Sequence, residues 1–129
     1  MTRHIGYITL AGVVILGILT ACGGSSDPIS RGKQVYAKSG CNACHAINGE
    51  GGQVAPDQTH LATNAEQRIK DPNYHGKAKD AAGYIRESIV EPSAYVVPGF
   101  PDDLMPKFFG QQLSAQELDD LLAYLLTLK

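Results

Sequence analysis

Cys41-Asn42-Ala43-Cys44-His45 is the stretch that most limits what this chain can become. Two cysteines separated by two residues, with a histidine directly after the second, form the attachment site of a c-type haem. Cys41 and Cys44 stand about one helical turn apart, so both sulfurs reach the two vinyl groups on one edge of a porphyrin. Thioether bonds then hold the macrocycle so that the next side chain, His45, lies under the iron, where imidazole is a good ligand. Three other readings of the motif find less support. A thioredoxin-like dithiol needs βαβ surroundings, and no alternation of strands and helices flanks residues 41–45. A zinc site needs a second pair of ligands at finger-like spacing, which His4, His60 and His75 do not offer. A disulfide between Cys41 and Cys44 leaves His45 without a role.

The third cysteine has its own context. Residues 1–21 read as a targeting segment, with Arg3 near the start, an apolar run from Ile5 to Leu19, then small residues before Cys22. Leu19-Thr20-Ala21-Cys22 resembles the lipobox of bacterial lipoproteins. That resemblance implies that the Cys22 thiol receives a diacylglycerol, that the signal peptide 1–21 is cut off, and that Cys22 becomes the first residue. The alternative is an uncleaved anchor, for which the 17 residues from Ile5 to Ala21 stand at the short limit of about 17–25. Either reading has the chain exported and tethered to the outer face of the cytoplasmic membrane. Two or more acyl chains hold firmly where one is marginal. Residues 22–29 are expected to form a polar, flexible, lipid-anchored linker with a reach on the order of 15 Å.

Cleavage before Cys22 leaves 108 residues, enough for one domain with a modest core. Ten basic residues then face thirteen acidic ones, and no basic stretch occurs, which argues against nucleic acid as a partner. Tryptophan is absent and aromatic residues make up only 7% of the chain, so a cofactor must supply much of the apolar core. Small domains often need such a staple.

Helical signals punctuate residues 30–129. A first helix is expected from Ser30 to Lys38, closed by Ser39 and a left-handed Gly40, with Gly32 and Tyr36 on one face. A glycine-rich loop follows at residues 48–52. Thr63-Asn64-Ala65-Glu66 has capping-box form and predicts a short helix from Thr63 that Asp71-Pro72-Asn73 breaks. Another helix is predicted from Asp80, as N-cap, to Val90, with Pro92 closing it. Residues 91–112 hold four prolines and two glycines and read as an extended loop. Ser114-Ala115-Gln116-Glu117 is a second capping box, followed by Leu118, Leu121, Leu122 and Leu125 at helical spacing, with Tyr124 among them. No strand pattern occurs. The expected fold class is all-α with long loops, which a small helical protein rarely tolerates unless a cofactor fills its centre.

Residues 30–129 resemble the class I, mono-haem cytochromes c. The resemblance rests on the helix leading into Cys-x-x-Cys-His, a middle helix, a Met-Pro loop and a C-terminal helix. It implies a fold in which the first and last helices cross, with Gly32 and Tyr36 packed on Leu121 and Tyr124. It implies one covalent haem c. Its sixth ligand would be Met105, in Leu104-Met105-Pro106-Lys107-Phe108, the other methionine being Met1 in the removable segment. A thioether favours ferrous iron and raises the potential; His60 and His75 are the alternative ligands, with a lower potential. A ligating histidine usually donates its other ring N–H to a carbonyl or carboxylate, and in the family that carbonyl belongs to a proline after the motif, here Pro56. Tyr74, Tyr84, Tyr95 and Gln111 are candidates to reach the haem propionates or the Met105 sulfur, with packing as the plainer role for each. Lys38 and Lys107 could ring the docking edge, or be simply solvated.

What the resemblance implies is an electron carrier rather than an enzyme, with electrons exchanged at the thioether edge and no small-molecule substrate. The run from Ser88 through Ala94, with Gly99-Phe100 and Met105-Pro106, is similar to mono-haem c domains of haem–copper oxidases and of alternative complex III. Two functions stay open. One is a membrane-tethered subunit of a respiratory or photosynthetic electron-transfer complex. The other is a mobile lipid-anchored shuttle between a quinol-oxidising complex and a terminal acceptor.

Overall fold

The computed structural model describes residues 27–129. The expected signal peptide 1–21, the lipidation site Cys22 and most of the linker lie outside the described residues. Helix α1 runs over Pro28–Lys38, two residues longer at its start than the periodicity predicts. Asp27 is the reason: its carboxylate accepts from the backbone N–H groups of Ile29 at 3.3 Å and Ser30 at 2.8 Å, satisfying donors a helix start leaves orphaned. Pro28 fits the first turn because it has no N–H to strand. The expected linker residues Pro28 and Ile29 are therefore helical. At the other end Gly40 takes φ 73°, and the chain turns out of α1 directly into a 3₁₀ turn at Cys41–Ala43.

Next come two strands of two residues each, β1 at Ala46–Ile47 and β2 at Glu50–Gly51, paired antiparallel. The sequence reading expected only a loop here. Asn48 and Gly49 both adopt positive φ, 52° and 80°, the geometry an Asn-Gly hairpin turn requires. Helix α2 covers Leu61–Arg68, so the capping box expected at Thr63–Glu66 does not form; Thr63 is already inside the helix. Burial of Leu61 and Ala62 draws the start back by two residues. Helix α3, Ala81–Val90, begins where Asp80 accepts from the Gly83 N–H at 2.7 Å. The stretch 91–112 is less extended than expected: it holds a 3₁₀ turn at Pro92–Ala94 and a one-turn helix α4 at Phe109–Gln112, which buries Phe109. Helix α5 spans Ala115–Leu125 behind a complete capping box of Ser114 and Glu117. Among the described residues no helix is long and apolar enough to cross a membrane.

The all-α expectation holds, and the packing of α1 on α5 organises it. A Cβ built on Gly32 would overlap the Asp120 backbone carbonyl and come within 2.8 Å of Tyr124 Cβ. Tyr36 and Tyr124 meet edge to face with ring centroids 5.6 Å apart. Leu121, 2% exposed, and Leu125 reach from α5 into a core shared with Ile85 and Ala65. Arg31 grips Asp120 with two bonds of 2.7 and 2.6 Å, and Lys38 reaches Glu117 at 3.0 Å. Asp120 is 4% exposed, so that carboxylate needs its partner. The Ser114 backbone N–H, with Lys38, pulls the Glu117 carboxyl from 4.5 down to about 2. Its contribution to stability is thus present above about pH 4.5 and fades as pH falls toward about 2.

Gly32→Ala is expected to destabilise the protein by about 1–3 kcal/mol through overpacking, although alanine normally favours a helix over glycine by about 1 kcal/mol. Urea unfolding at unchanged slope checks this, and a neutral or stabilising result would show that the two helices can part at no cost.

Candidate cofactor site

The Cys41–His45 segment is shaped by backbone rather than by side chains. The Cys41 carbonyl accepts from the N–H groups of Cys44 at 3.2 Å and His45 at 3.0 Å, winding the motif into one tight turn. The loop after it lies directly on that turn, with Gly52 N–H donating to the Asn42 carbonyl at 2.9 Å and Ala55 N–H to the Cys44 carbonyl at 3.1 Å. Only glycine permits this approach. A Cβ at Gly52 would overlap the Ala43 carbonyl, and one at Gly51, where φ is 111°, would stand 2.5 Å from the His45 carbonyl.

His45 Nδ1 lies 2.7 Å from the Pro56 carbonyl oxygen. A carbonyl only accepts, so Nδ1 carries the hydrogen and Nε2 keeps its lone pair. Burial pushes the imidazole pKa down, opposed in part by that bond, which favours the neutral ring that a metal requires. Burial also pushes the Cys41 thiol up to about 11, away from the depressed range of redox-active cysteines. No disulfide joins it to Cys44. Among the described residues no group of three or more His, Cys, Asp or Glu gathers to hold a metal ion.

These groups face a cavity of about 250 Å³ whose lining includes Cys41, Cys44, His45 and Met105, with apolar walls from Ile85 and Leu121. Protein interiors pack densely and leave few voids larger than a water. A space of this size, framed by two thiols, an imidazole with a free Nε2, a thioether and hydrocarbon, suits a large flat metal-centred macrocycle. The residues present fit a haem c.

His60 and His75 are exposed and absent from the cavity wall. Tyr84 and Tyr95 line the wall; Tyr74 and Gln111 do not. The Tyr74 hydroxyl donates to Glu87 and that of Tyr95 to Asp71 at 2.9 Å. Tyr36 also lines the cavity, its hydroxyl donating to Gln58 Oε1 at 2.8 Å. Lys38 and Lys107 are exposed, reaching Glu117 and Asp102. The one Lys or Arg among the described residues of the cavity lining, Arg68 at the end of α2, is not singled out by the sequence. A basic residue in a final helical turn is ordinary, so nothing local distinguishes it. Its charge is felt at His45, whose pKa it helps to lower.

Comparison with known proteins agrees with this geometry. Residues 29–129 match the cytochrome c family. A cytochrome c oxidase subunit 2 from Alkalihalophilus pseudofirmus is 25% identical over 100 residues, covering 78% of this chain and 25% of that protein. The chain thus spans about a quarter of the length of that relative.

Gly52→Val is expected to push the loop off the Cys41–Cys44 turn. It should lower the fraction of purified protein carrying covalent haem, measured as haem absorbance per polypeptide after acid–acetone extraction. An unchanged ratio would show that the close backbone contact is not needed for attachment.

Proposed function

We propose that this chain, which belongs to the cytochrome c family, is a membrane-tethered one-electron carrier working as a subunit of a larger electron-transfer complex. The family's single covalent haem c supplies a metal centre that changes oxidation state by one electron. The chain's own residues hold and tune that centre. Cys41 and Cys44 would anchor it by thioether bonds, and His45 would offer Nε2 to the iron while the Pro56 carbonyl fixes the ring's tautomer and direction. Met105 would offer its sulfur to the same iron, a choice that would raise the potential. Ile85, Leu121 and the other apolar walls give the cavity a mainly hydrocarbon lining, and low polarity around a site is a further control on its potential. Arg68 places a guanidinium on the cavity wall, suited to an anionic edge group. No bond of the protein is made or broken in this work, and no substrate pocket is called for.

The observation that carries the reading is the meeting of Cys41, Cys44, His45 and Met105 on one cavity. Lipidation of Cys22 after removal of residues 1–21 is the proposed tether, with the haem domain from residue 30 held at the outer face of the cytoplasmic membrane by the short linker. A relative that is an oxidase subunit favours residence in a complex. Its low identity and partial coverage leave the mobile shuttle as the second reading. Affinity purification from mild detergent separates them: other redox subunits in fixed ratio support residence, whereas a lone haem protein reduced by quinol-oxidising membranes supports the shuttle.

Met105→Ala is expected to abolish the weak far-red absorption of ferric haem bound to sulfur, lower the potential, and let cyanide or imidazole bind the iron quickly. An unchanged spectrum would overturn Met105 as a ligand and turn attention to a histidine.

A further inference from the structure

Three tyrosines form a cluster that the axial ligands do not use. Tyr74 comes from the loop between α2 and α3, Tyr84 from α3, and Tyr95 from just after the second 3₁₀ turn. Their ring centroids are mutually close: 5.8 Å for Tyr74–Tyr84, 5.7 Å for Tyr74–Tyr95 and 6.0 Å for Tyr84–Tyr95. Tyr84 and Tyr95 stand in the cavity wall, Tyr84 only 2% exposed, while Tyr74 lies outside that wall. Two of the three hydroxyls end on carboxylates. Tyr95 donates to Asp71 Oδ2 at 2.9 Å. Tyr74 donates to Glu87 and accepts from the Ala78 N–H at 2.8 Å. A neutral phenol loses an electron with difficulty unless its proton leaves at the same time, and a hydrogen-bonded carboxylate is a positioned base for that proton.

We propose that Tyr95, Tyr84 and Tyr74 are a proton-coupled relay that drains strong one-electron oxidants, of the peroxyl-radical class, from the cavity wall. In the first step the Tyr95 O–H bond breaks. Its electron reduces the peroxyl radical to a hydroperoxide anion, which water protonates, and its proton passes to Asp71. The neutral Tyr95 radical then takes an electron from Tyr74 across the ring contacts, with Tyr84 packed against both, and recovers its proton from Asp71. Tyr74 meanwhile yields its own proton to Glu87. A small thiol outside the protein then gives one electron and one proton to Tyr74 and leaves as a thiyl radical, while Glu87 returns its proton to the hydroxide left when water protonated the hydroperoxide, which closes the cycle. Tyr36 is the internal contrast. It lines the same cavity, but its hydroxyl donates to the neutral amide of Gln58, which cannot take a proton.

The test uses the oxidised holoprotein and photogenerated tris(bipyridine)ruthenium(III) as the one-electron oxidant, with the organic radical read by freeze-quench paramagnetic resonance. The wild type is expected to show a tyrosyl signal that Tyr95→Phe removes and Tyr74→Phe leaves trapped at Tyr95. Asp71→Asn, which keeps a hydrogen-bond acceptor but loses the base, is expected to slow radical formation, an effect that packing alone does not produce. Equal radical yield and rate in Tyr95→Phe and Asp71→Asn, with unchanged haem spectra and melting temperatures, would overturn the relay. So would a signal that disappears only in Tyr36→Phe.

Discussion

The closeness of α1 to α5 at Gly32 is the constraint on which the rest of this structure depends. No side chain separates the Gly32 backbone from the Asp120 carbonyl, so the two helices meet at a distance only glycine allows. Tyr36 then falls on Tyr124, Arg31 on Asp120, and Lys38 on Glu117. Because α1 runs into the Cys41 turn with only Ser39 and Gly40 between, whatever holds α1 also holds the cysteines. The same helix α5 presents Leu121 and Leu125 to the cavity. One helix pair thus sets both the attachment turn and part of the cavity wall.

Around the motif, backbone does most of the shaping. Gly51 and Gly52 let the loop lie against the turn, and the Pro56 carbonyl fixes His45. An arrangement made of carbonyls and N–H groups is stiff, since each bond closes a short ring of chain. A stiff setting suits a site whose work is a change of charge without a change of shape, because reorganisation slows electron transfer. The apolar remainder of the cavity has a related effect: with few dipoles free to turn, a one-electron change meets little response from its surroundings.

Two kinds of polar side-chain contact can be told apart. Arg31–Asp120 and Lys38–Glu117 tie elements together, as does Ser114 with Glu117 at the start of α5. Asp71 and Glu87 instead hold phenols whose rings touch one another and approach the cavity. The first kind is structural and would serve any small helical domain. The second places carboxylates as hydrogen-bond acceptors on phenol rings at the edge of the cavity.

Much of this was legible in residues 30–129 because it is local. Cys41, Cys44 and His45 lie within five residues, so their spacing alone specifies the haem attachment that the family shares. The Ser114–Glu117 and Asp80 caps act within a turn of chain, and both form. The capping box at Thr63 does not, because burial of Leu61 and Ala62 outweighs a cap worth about 1 kcal/mol. The hairpin at Asn48-Gly49 had a turn signal but too few residues to show alternation. Arg68 on the cavity wall, the carboxylate partners of Tyr74 and Tyr95, and the contact of Gln58 with Tyr36 had no local signal at all. Sequence by itself determined the cofactor and the helical class, since covalent attachment and helix periodicity are short-range properties. Only the tertiary structure decided which carbonyl turns His45, which tyrosines reach carboxylates and which cation faces the cavity, because those pairings join residues that become neighbours only when α1, α3 and α5 pack.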